Sequence, residues 1–222
     1  MSHSAHHTQI PTSALPGQCE KAVMNFMASI LNEQLKQQQE GIAEAIAQPL
    51  WQKAASFAAF VHAAEVRDGK ISPSLVKATR VALTVASVYH CQEPPVLAAA
   101  LLHNVLEKSE VSFDELCNQF GCQIAMRVQR LSREPELNTD LHLKRLHSCD
   151  WQTRLIKLAD AADTLDHDDE ELERRIMHTT QVMELAFGDE EPVQRAQRHL
   201  TELLQNVRLH SEVQSTDADS FI

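Results

Sequence analysis

The chain has 222 residues, 43% of them hydrophobic, which is enough apolar material for a sizeable core. With 5 glycines and 8 prolines and no long alternating run of β-branched residues, the composition excludes a turn-rich β fold. A formal net charge of −11 excludes a broad basic surface for nucleic acid, so any anionic ligand needs a local basic pocket.

Residues 1–17 are polar and proline-containing and are expected to be disordered. Residues 18–48 read as an amphipathic helix, with Val23, Phe26, Met27, Ile30, Leu31 and Leu35 at helical spacing, then Ile42, Ala45 and Ile46. It either packs onto its own domain or serves as a cap or homo-oligomer contact.

Helices are predicted near 50–66, 72–90, 94–108, 112–119, 121–132, 140–147, 151–165, 169–187 and 190–208. Ser112, with Glu115 three residues on, resembles a capping box, and Pro94, Pro95 and Pro192 stand where helices start. Residues 133–139 form the main linker, the acidic run 166–173 a solvated face or helix start, and 209–222 a loose tail. No internal repeat is visible, so the prediction is an all-α domain over 50–208 with an extra N-terminal helix.

The five cysteines, at 19, 91, 117, 122 and 149, form no CxxC pair and signal neither zinc nor a disulfide framework. With no signal peptide and no apolar run of transmembrane length, the expectation is a cytoplasmic chain with no membrane partner.

Two segments carry chemistry. LAAALLHNVLEK at 97–108 is rich in Ala and Leu and reads as a helix buried on most faces, with His103 and Asn104 in its middle. On residue type alone His103 is more often a hydrogen-bonded core histidine than a ligand. RLIKLADAADTL at 154–165 has a helical apolar pattern in which Asp160 falls inside the apolar stretch. A carboxylate there is paired with a cation such as Lys77, capped by water, or a metal ligand.

These segments resemble the HD-domain hydrolases of the RelA/SpoT family, including its small stand-alone members, together with AASFAAFVHAAEVRDGK at 54–70 and SPSLVKATRVA at 72–82. The order and spacing fit over roughly residues 50–205, far more than a single motif. The resemblance implies an HD-domain helical bundle that removes the 3′-pyrophosphate of (p)ppGpp with Mn²⁺. It puts metal ligands at His103 and Asp160, with Lys77 and Asn104 standing where two further ligands are expected. Glu107 matches the first catalytic acid, and Lys108 replaces the second. Arg67, Lys144 and Arg145 match basic positions near the ligand, and Asp163 and Thr164 stand where the family has other residues.

An ammonium at a dication's position and an uncharged amide in place of a carboxylate both disfavour Mn²⁺. Lysines still hold phosphate. Three readings follow: a catalytically impaired protein binding a guanine nucleotide or other phosphate through Arg67, Lys77, Lys108, Lys144 and Arg145, without a cofactor; an active Mn²⁺ enzyme with Glu107 as base; or a structural protein keeping only the fold.

Overall fold

The computed structural model describes residues 16–66, 72–134, 138–165 and 171–219. The expected disorder of residues 1–17 therefore falls almost entirely outside the described residues, as does most of the acidic run at 166–173. By its internal contacts the chain divides into residues 1–39 and residues 40–222.

The described residues are helical, with no strand among them. Helix α1 runs Pro16–Ala47 and exposes Leu31 and Leu35. Its last turns belong to the larger unit. There Ala45 is buried, and the Gln92 side chain donates to the carbonyls of Gly41 and Ala86, both at 3.1 Å. A Cβ at Gly41 would stand 3.2 Å from Gln92 Nε2, which is why the smallest residue occupies this point in the helix.

Then follow α2 (Pro49–Val61), a 3₁₀ turn (Ala63–Glu65), α3 (Pro73–Leu83), α4 (Pro94–Leu102), α5 (Val105–Lys108), α6 (Phe113–Phe120), α7 (Cys122–Leu131), α8 (Thr139–His147), α9 (Trp151–Leu165), α10 (Leu172–Val182) and α11 (Glu191–Asp219). Local chemistry sets most of the starts. Ser72 caps α3 by accepting from Leu75 N, with Pro73 at the first helical position. Ser112 accepts from Glu115 N and Asn138 from Leu141 N, and α6 stops at Gly121, whose φ of 86° suits glycine.

Two helices make the centre. Every residue of α4 from Val96 to Leu102 is fully buried, and α4 packs on α2, α3, α7 and α9. Helix α9 buries Leu155, Ile156, Leu158, Ala159 and Ala161 and also touches α3, α10 and α11. Alanines at 98–100, 159 and 161 shorten the side chains between axes, and let neighbouring helices approach closely.

Three departures from the expected helices have local causes. The helix expected over 72–90 becomes a π turn at Thr84–Val88, closed by Tyr89 N donating to Thr84 O at 3.0 Å. The helix expected over 94–108 breaks at His103 and Asn104, because the His103 ring takes the Ala100 carbonyl at 2.8 Å. Helix α11 continues to Asp219, past the expected loose tail, since SEVQSTDAD contains neither Gly nor Pro.

Candidate functional site

The break between α4 and α5 opens a cavity of about 380 Å³. Helix α3 contributes Ser74 and Lys77, the break His103 and Asn104, α5 Glu107 and Lys108, α8 His142, α9 Lys157 and Asp160, and α10 His178. Arg133, beyond α7, completes it.

Asp160 is the electrostatic centre. Lys77 Nζ lies 2.7 Å from its Oδ1 and Lys157 Nζ 2.8 Å from its Oδ2, the latter one turn back on α9. Burial alone would raise this carboxyl, but the Lys157 and Lys77 ammoniums, with His103, outweigh it and hold Asp160 well below the usual carboxylate range. Lys77 answers in kind: burial lowers it, yet the Asp160 carboxylate wins and raises it above an ordinary lysine. One carboxylate thus balances two ammoniums.

Asn104 is committed on both sides. Its Nδ2 donates to Ser74 O at 3.1 Å, so its Oδ1 accepts from Nε2–H of buried His62 at 3.1 Å. His62 Nδ1 stands 3.4 Å from Glu65 Oε1, and Glu65 also accepts from Ser72 Oγ at 2.6 Å and Ser74 Oγ at 2.8 Å. This chain of contacts links α2, α3 and the α4–α5 break.

His103 donates from Nδ1 to Ala100 O, leaving the Nε2 lone pair 3.8 Å from Asp160 Oδ1. Burial pushes its pKa down, so the ring is neutral at pH 7. This is a ligand's tautomer, but the set around it does not fit a divalent cation. The Lys77 ammonium sits on the Asp160 carboxylate, and the Asn104 oxygen is turned to His62. Among the described residues no three His, Cys, Asp or Glu side chains converge.

The structure brings Lys77, His103, Asn104, Glu107, Lys108 and Asp160 around one cavity. Glu107 Oε1 accepts from the Arg133 backbone N–H, which ties α5 to the segment after α7. Lys144 is not brought there. It lines a separate groove of about 460 Å³ with Asp140, His147 and Glu184, because its position on α8 turns it away from Asp160. Arg145 is spent locally, on Glu134 at 2.6 Å and the Arg130 and Ser132 carbonyls at 3.2 and 2.8 Å. Arg67 lies outside the described residues.

Sequence reasoning missed Arg133, His142, Lys157 and His178. Lys157 had a signal, since a lysine three residues before a buried aspartate shares its helix face. The other three come from segments distant in sequence, and the packing of α7, α8 and α10 on α9 reveals them.

The described residues form an all-helical bundle with this cavity over the broken His-Asn helix and the KLAD aspartate. The chain is 31% identical over 115 residues to guanosine-3′,5′-bis(diphosphate) 3′-pyrophosphohydrolase MESH1 of Drosophila melanogaster, a match covering 49% of this chain and 64% of that protein. The chain thus spans less than two thirds of that relative's length. Its fold is that of a metazoan ortholog of SpoT that hydrolyzes ppGpp, with a TM-score of 0.61 and 21% identity, over 72% of this chain and 96% of the other. No family model matches the chain. No helix among the described residues is long and apolar enough to cross a membrane.

Proposed function

We propose that this HD-domain protein binds a nucleotide or other phosphate ligand in the Lys77–Asp160 cavity and is impaired in hydrolysing it. The observation that carries the reading is the Lys77 ammonium 2.7 Å from Asp160 Oδ1, a fixed positive charge where the resemblance expects a metal ion. His103 and Asp160 are then remnants of a ligand set, and Glu107 is a base whose partner acid has become Lys108. A lysine neutralises phosphate, but it does not lower the pKa of a bound water as a dication would. The cavity offers Lys77, Lys108, Arg133 and Lys157 against Glu107 and Asp160, so the ligand meets net positive charge on a chain of net charge −11.

An active Mn²⁺-dependent hydrolase is the second reading, favoured by the similarity to MESH1 and by the His103 tautomer. Pyrophosphate release from ppGpp by the purified protein in excess Mn²⁺ separates the two. The control is the triple variant Lys77→His, Asn104→Asp, Lys108→Asp. Silence from the wild type with turnover by the variant supports impairment, and turnover by the wild type rejects it.

A further inference from the structure

Cys117 and Cys122 lie on either side of the corner between α6 and α7, Cys117 in the last turn of α6 and Cys122 as the first residue of α7. Their spacing is not that of a CxxC pair, so the sequence carries no signal for what the fold does with them. Gly121 N donates to Cys117 O at 2.9 Å, and Gly121 then turns the chain with φ 86° and ψ 150°, so that α6 and α7 pack against each other. The two thiols meet across this corner. Hydrogen bonding with the Cys122 thiol, with burial adding to it, pushes the Cys117 thiol up to about 11.

The corner is held from one side and open on the other. Phe120 packs edge-on against Phe57 of α2, with ring centres 5.2 Å apart, and the Lys53 ammonium lies 5.0 Å from the centre of the Phe120 ring. Lys53 also donates to the Gln119 carbonyl, so the backbone between the two cysteines is anchored to α2. On the outer side a Cβ at Gly121 would meet nothing within 4 Å, Cys122 is exposed, and Cys117 is half-buried. Among the described residues no third His, Cys, Asp or Glu joins them, so the pair does not make a metal site. Cys91, by contrast, is buried and pushed up to about 11 by that burial, and burial also raises Cys149.

We propose that Cys117 and Cys122 form a reversible dithiol–disulfide site, oxidised by a low-molecular-weight disulfide. The Cys122 thiolate, its proton lost to solvent, attacks one sulfur of the reagent, forms a mixed disulfide and releases the other half as a thiolate. That thiolate takes the Cys117 proton. Cys117 Sγ then attacks Cys122 Sγ, forming the bond between them and expelling the second half, which takes a proton back from solvent. Two protein thiols are oxidised, and one reagent disulfide is reduced to two thiols. The ring closed in this way holds four residues between the cysteines, 118–121, so the cross-link removes little chain entropy from the unfolded state. Exposed and closing so short a loop, it belongs with the readily reduced disulfides rather than the structural ones.

The test treats the native full chain with oxidised glutathione, alkylates the remaining thiols, and maps tryptic peptides by mass spectrometry. Both cysteines fall on the peptide 109–127, which has no Lys or Arg before its end. The expected product is that peptide lighter by two hydrogens and unalkylated, with Cys91 and Cys149 still alkylated, and dithiothreitol restoring both thiols. Cys117→Ser should stop at glutathione on Cys122, and Cys122→Ser should leave Cys117 a free thiol. The wild-type map is decisive without either variant. An unreacted pair, a glutathione adduct that persists on Cys122 of the wild type, or oxidation of Cys91 and Cys149 as fast as the pair overturns the proposal.

Discussion

Replacing Lys77 by methionine removes one of two ammoniums from a buried carboxylate while keeping the aliphatic stem. Removing one partner of a fully buried ion pair costs about 3–5 kcal/mol, chiefly by stranding the other charge. Two features reduce this here: the Lys77 side chain is 37% exposed, and Lys157 remains 2.8 Å from Asp160. A loss of about 1–3 kcal/mol is expected, or roughly 2–4 °C in Tm for each kcal/mol. The sign with pH follows from the depressed Asp160 carboxyl. Its stabilisation is fully present above the unfolded carboxylate value of about 4 and is lost as pH falls through the folded value. The gap between wild type and Lys77→Met should therefore hold steady from neutral pH down to that range and shrink below it. Urea denaturation at a series of pH values measures the gap. Equal stability at neutral pH, or a gap that persists undiminished in acid, would refute the assignment of Lys77 as the counter-ion of Asp160.

Asn104→Asp turns a donor into an acceptor opposite Ser74 O, and should lower stability by about 1–3 kcal/mol at neutral pH in denaturant titrations. Arg145→Ala should cost about 1.5–3 kcal/mol, by freeing the Arg130 and Ser132 carbonyls and Glu134, and thermal melts would detect it. Lys144→Ala, in a different groove, should leave phosphate affinity unchanged, whereas Lys157→Met should lower it; calorimetry on both variants checks the separation.

The bundle was legible because α4 is apolar all round and α9 carries a broad apolar stripe, and the capping serines and prolines mark the starts of α3, α4 and α6. The pairing of Lys77 with Asp160 was one of the options open from sequence, and geometry selects it at 2.7 Å. The break at His103 was not legible, since a ring competing for the Ala100 carbonyl leaves no periodic trace. Lys144 and Arg145 matched basic positions by register alone, but neighbouring residues on a helix point about 100° apart, and neither is aimed at Asp160. His142 went unnoticed because a lone histidine beside a basic cluster has no meaning until the fold turns it toward α9.

In the proposed function a fixed lysine, Lys77, supplies the positive charge beside Asp160, and ligand binding then needs no metal. The most direct measurement is a calorimetric titration of a guanine nucleotide into the purified chain, in EDTA and again in excess Mn²⁺. Saturable binding of equal strength in both, weakened by Lys77→Glu, is the predicted result. Binding that appears only with Mn²⁺, accompanied by stoichiometric uptake of the metal, would contradict it.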